Sequence, residues 1–101
     1  VDKVAELLEE AEEKGIITED EREKAILVDL VLSGFLKVKN KFVVLAVEVS
    51  NKIDLEDVNK AYERSRILSK CFKEEVIPVC IGIEASEEAK ARAEEVPLLI
   101  I

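Results

Sequence analysis

The chain alternates between segments with the apolar period of a helix and short runs that are apolar almost throughout, a pattern that predicts an α/β domain. Residues 2–14 place Val4, Leu7, Leu8 and Ala11 on one stripe and Glu over the rest, an amphipathic helix that Gly15 stops. Thr18-Glu19-Asp20-Glu21 reads as a capping box, in which Thr18 caps the Glu21 amide and the Glu21 side chain returns the bond. A second helix starts there and ends around residues 24–27. Residues 28–33 are apolar except for Asp29 and predict a strand stopped by Gly34, with a second short strand over 35–39. Lys39-Asn40-Lys41 is the expected turn, because Asn tolerates positive φ. The strongest strand pattern is residues 42–50, Phe-Val-Val-Leu-Ala-Val-Glu-Val-Ser. Its near-continuous apolarity predicts a strand buried on both faces at the centre of the sheet.

Residues 51–54 read as a loop, and Asp54 caps a long helix over 55–72. Leu55, Val58, Ala61, Tyr62, Leu68 and Phe72 form the stripe it buries. Residues 76–83 predict another strand. Pro78 lacks an N–H for the ladder, so it belongs near that strand's start or against an open edge. Ser86 caps a last helix over 87–95, Pro97 ends it, and 98–101 form a short final strand. Helices between the later strands imply right-handed crossovers and a mixed central sheet flanked by helices. The division expected is an N-terminal helix at 1–17 and an α/β domain at 18–101.

Composition sharpens this picture. The 101 residues make one domain, and 49% are hydrophobic, enough for a buried core. Charged residues reach 38% while His, Met, Trp and Gln are absent, the balance of a heat-adapted protein. A net charge of −8 argues against nonspecific gripping of nucleic acid, which needs a basic surface or a bridging metal. Cys71 and Cys80 lack zinc spacing and a His companion, and they read as small core hydrophobes in a reducing, cytoplasmic setting. A disulfide between them is the lesser alternative. No run is long enough to span a membrane, and no signal-peptide pattern opens the chain. Val1 in place of Met fits a piece of a longer protein or a processed one.

The candidate chemistry lies on the apolar strands. Side chains alternate along a strand, so Phe42, Val44, Ala46, Glu48 and Ser50 share one face. A buried carboxylate must be paired, metal-bound, protonated or at an open end, and Glu48 poses that problem on a very apolar strand. Asp29 poses it in the preceding run, and two such acids on neighbouring strands would converge on one divalent cation. The alternative for Glu48 is an ion pair with a helix Arg such as Arg64. The alternative for Asp29 is a solvated position on a helix that continues through Leu30.

An acid in one strand of a hairpin, an acid-x-basic motif in the next, then a helix and a strand resembles the PD-(D/E)XK nuclease superfamily core. Asp29 matches the first acid, and Glu48-Val49-Ser50 occupies the (D/E)-x-K position. The match is most similar to uncharacterised prokaryotic proteins with Glu-Val-Ser there, and it continues through Asp54-Leu55-Glu56-Asp57-Val58, Ala61, Arg64, Arg66 and Leu68. The resemblance implies a restriction-endonuclease-like core, which in longer relatives follows a coiled-coil segment that the helix at 1–17 would end. It also implies that Asp29 and Glu48 hold Mg²⁺ or Mn²⁺ for hydrolysis of a phosphodiester in DNA. Ser50 stands where the motif Lys belongs, and a hydroxyl neither carries positive charge nor serves as that base. Lys52 on the following loop, or Lys60 or Arg64 from the helix, are the candidate surrogates. A domain without the Lys function is expected to serve as a scaffold or oligomerisation module. The stripe at 2–14 offers a homodimer through the N-terminal helix. Lys37, Lys39 and Lys41 ring the hairpin turn, where they protect a sheet edge or, in the sharper reading, contact phosphate.

Overall fold

The structure, a computed structural model, describes residues 2–101. In chain order it contains α1 (Asp2–Glu13), α2 (Glu19–Ala25), β1 (Leu30–Leu36), β2 (Lys41–Val49), β3 (Lys52–Ile53), α3 (Leu55–Ser69), β4 (Glu75–Ile81), β5 (Glu84–Ala85), α4 (Glu87–Glu95) and β6 (Leu99–Ile100). This is a compact α/β domain with a mixed central sheet flanked by helices.

The helix ends follow their local chemistry. Gly15 adopts φ 74°, and the Ile16 N–H reaches back to the Ala11 carbonyl at 2.8 Å, closing α1 in a left-handed cap. Thr18 and Glu21 form the reciprocal capping box that opens α2, and Asp54 with Asp57 forms another at the start of α3. Ser86 Oγ accepts from the Ala89 N–H to start α4.

The main sheet has the order β1-β2-β4-β6, with β1 antiparallel to β2 and the other neighbours parallel. Residues 42–49 therefore lie on an inner strand, as the sequence predicts, and Ser50 falls just beyond its end. The hairpin before them differs from expectation. One strand runs straight through Gly34, which pairs with Val43 in extended geometry, and there are not two strands broken by it. The turn spans residues 37–40, with Asn40 at φ 52° and its N–H donating to the Lys37 carbonyl. Asp29 also moves: it precedes β1 and does not sit within it. Residues 51–54, read as a loop, contain β3, which pairs with β5 in a second, two-stranded parallel sheet. Pro78 lies mid-strand in β4, but β6 pairs with β4 only at Val79 and Cys80, so the missing ladder partner falls where β6 does not reach.

Two buried clusters fill the space between helices and sheet. Leu8 and Ala11 of α1 pack with Ile17, Ala25, Ala46, Ile67 and Leu68. Val58, Ala61 and Cys80 pack with Ile53, Ala89, Ala93 and Leu98. The α1 stripe offered as a dimerising face is thus spent inside this chain's own core, with Val4 packed against it. Val31, Ala46, Val76 and Cys80 face the helices, and alternation sends Leu30, Leu32, Leu45, Val47, Ile77 and Val79 to the other side.

Gly82 follows β4 where the two sheets meet. A Cβ there would stand 2.5 Å from the Ser50 carbonyl oxygen and 2.8 Å from the Ile53 side chain. The first obstacle is backbone and cannot swing away. Gly82→Ala is expected to cost about 1–3 kcal/mol, the range for overpacking, read as a lower urea midpoint with an unchanged m-value.

Candidate functional site

Alternation along β2 points Glu48 at α3, and α3 is long enough to bring Arg64 over it. Arg64 Nη1 donates to Glu48 Oε1 at 2.7 Å, with side-chain exposures of only 14% and 11%. The second oxygen, Glu48 Oε2, is buried and has no hydrogen-bond donor among the described residues. Burial is the main influence on this carboxyl and raises its pKa. The Arg64 guanidinium opposes that rise, and the nearby Asp29 and Asp57 charges add to it.

Asp29 lies beside Glu48 through backbone geometry. It precedes Leu30, which pairs with Val47, so it reaches the end of β2, where its Oδ2 accepts from the Val49 N–H at 2.8 Å. Its solvated position agrees with the alternative reading, although it lies outside any helix, since α2 ends at Ala25. Ser50 Oγ donates to the Lys52 carbonyl at 2.9 Å, which commits the hydroxyl to the chain's own backbone. Lys52 itself is exposed at the start of β3. Lys60 pairs with Glu56 one turn away on the α3 surface at 3.1 Å. Of the three candidate surrogates, Arg64 is the one that contacts Glu48 in the structure.

Cys80 lies opposite Glu48 in the β2–β4 register. Burial first, then the Glu48 and Asp57 charges, push its thiol up to about 12. Both cysteines are free thiols, and Cys80 Sγ approaches the Asp57 carbonyl oxygen at 3.9 Å. A thiol so poorly ionised is packing, as its sequence setting suggests. Lys39 and Lys41 both reach Glu75, at 3.2 and 2.8 Å.

A cleft lies elsewhere. About 520 Å³ opens between α3, β4 and the segment before β6, lined by Tyr62, Ser65, Arg66, Pro78 and Pro97 among others. Arg66 donates to the Tyr62 hydroxyl at 3.0 Å and lies over its ring at 5.7 Å. No motif marks this cleft in the sequence, because it arises from three distant segments meeting. Among the described residues, no group of three or more His, Cys, Asp or Glu side chains is placed to hold a metal ion. Nor is any helix among them long and apolar enough to cross a membrane. No family model, no curated protein and no solved structure matches this chain.

The ion pair generates two expectations. Arg64→Met leaves a buried carboxylate unpaired and should cost about 3 kcal/mol or more in urea unfolding, while Glu48→Leu/Arg64→Met should recover most of that loss. The pH dependence has a definite sign. Glu48 is harder to ionise in the folded chain than in the unfolded one, so its contribution is fully present below the unfolded value of about 4.5. It is lost as pH rises through the folded value. The stability of the native chain minus that of Glu48→Gln should therefore fall as pH rises above about 4.5, and a difference that rises instead would contradict the burial of this carboxyl.

Proposed function

We propose that this chain is a non-catalytic scaffold domain on a nuclease-like α/β core, in which an internal cation has taken over the acidic site. The observation that carries this reading is the 2.7 Å bond from Arg64 to Glu48. A guanidinium there supplies the positive charge that a carboxylate on an apolar strand demands. The other motif positions are occupied in the same way. Asp29 holds the Val49 N–H, and Ser50 donates to the Lys52 carbonyl. A hard divalent cation takes six or more oxygens and retains waters. Two carboxylates, one bound to backbone and the other to a fixed guanidinium, do not suit it. No hydrolytic step is therefore derived through Mg²⁺ or Mn²⁺.

A second reading rests on one atom. Glu48 Oε2 has no donor among the described residues, and Asp29 lies next to it. Those two acids are what a metal-dependent phosphodiesterase acting on DNA would use, with Arg64 in the role of the missing Lys. The two readings separate in one assay. Single- and double-stranded DNA incubated with the chain and Mn²⁺ should stay intact, to the same extent as with Asp29→Ala/Glu48→Ala, and Mn²⁺ should leave the Tm of the chain unchanged. Cleavage by the native chain that disappears in the double variant would establish the nuclease and end the scaffold reading.

A further inference from the structure

The face of the main sheet that points away from the helices is apolar: Val43, Val47 and Val79 are buried at its centre, and larger aliphatic side chains stand exposed around them. Leu30 pairs with Val47, which pairs with Val79, which pairs with Leu99, all on that face; Leu32, Leu45 and Ile77 form the next row. Leu30, Leu32, Val49, Ile81 and Leu99 are exposed there. Gly34 belongs to the same face opposite Val43, and a Cβ built on it meets nothing within 4 Å. The helices that pack on the sheet do so on the side of Ala46 and Cys80.

We propose that this open sheet face is the surface through which two copies of the chain form a symmetric dimer. The proposal deepens the scaffold reading by naming its partner, and rests on that reading for its purpose but not for its geometry. Three observations favour a second copy over another partner. The first is charge. The chain carries −8, so two copies repel wherever their acidic surfaces meet. The open face has Glu75 as its acid, at one end, and Lys39 and Lys41 already neutralise it at 3.2 and 2.8 Å. It is therefore the surface on which like-charged copies meet without bringing acids together. The second is area. Three strands of seven or more residues and the two residues of β6 give a footprint of roughly 23 by 14 Å with a narrow fourth strand beside it. Covering it on both copies removes about 700 Å² even if the face were flat, and side-chain relief adds to that, which places the contact at the small end of specific interfaces. The third is anatomy. An aliphatic surface whose one acid is already held by two Lys at one end can meet its own copy about a two-fold axis without an unpaired acid between them. Two such sheets pack about 10 Å apart with their strands rotated by about 30°.

The test is the solution mass of the whole chain. Light scattering on a sizing column should give twice 11.3 kDa, and Leu32→Glu/Val49→Glu should give 11.3 kDa with an unchanged far-ultraviolet circular dichroism spectrum. Should that variant misfold, dilution of the native chain serves instead, since anilinonaphthalene sulfonate fluorescence should rise as the dimer dissociates and bares the face. A native chain that is monomeric at about 100 µM overturns the proposal, as does a dimer that survives the paired substitution. The DNA assay above, run on the same sample, keeps the two ideas apart. A dimer that cleaves DNA ends the scaffold reading alone, and a monomer that does not cleave ends the dimer alone.

Discussion

One carboxylate on the inner strand of the sheet organises the contact between sheet and helix. Glu48 sits on the face of β2 that α3 covers, among Ala46, Cys80 and Ala61, where its charge would be costly without a partner. Arg64 supplies that partner from the third turn of α3. Positions of α3 on either side of the pair then fall onto the two apolar clusters. Val58 and Ala61 enter the one shared with α4, and Ile67 and Leu68 enter the one shared with α1 and α2. The ion pair ties α3 to β2 at one point between the two clusters.

The same interaction bears on what the site does. A carboxylate that already holds a guanidinium has half of its hydrogen-bonding capacity committed, and its remaining oxygen is pushed toward the protonated form by burial and by Asp29 and Asp57. Metal chemistry needs the opposite: ionised, uncommitted oxygens able to converge. The pair commits one oxygen of Glu48 to a side chain from the helix. Ser50, two residues further on, donates locally to the Lys52 carbonyl and takes no part in the pair.

Much of this was legible in the chain. The capping residues Thr18, Asp54 and Ser86 mark helix starts that the structure reproduces, because a cap is a local bond between neighbours. The inner strand was legible from its composition, and its Glu48 was legible as a group in need of a partner. What the pattern could not convey is context that comes from distant segments. Gly34 reads as a strand end, yet it continues an edge strand, since its missing side chain leaves only open space on the uncovered face. Asp29 reads as part of an apolar strand, yet the ladder begins one residue later, and only the pairing of Leu30 with Val47 brings it to the end of β2. β3 and β5 are two residues each, too short to leave a periodic signal.

The apolar strands hold the last ambiguity, and it is physical. A run such as Leu-Val-Leu in β1 states that both faces are to be kept from water, but not what covers each one. On one face the cover is α1, α2 and α3 of the same chain. On the other, Val47 and Val79 are already buried by their own neighbours, while the Leu and Ile side chains around them stand exposed. Water against that ring gains nothing from the sheet, whose backbone groups are paired with each other along β2 and β4. A chain rich enough in charge to solubilise its surface, yet with hardly a charge on this face, has a hydrophobic free energy that its own fold leaves unused. That asymmetry between the faces, not the acid at Glu48, is the feature through which the domain has most to gain by association.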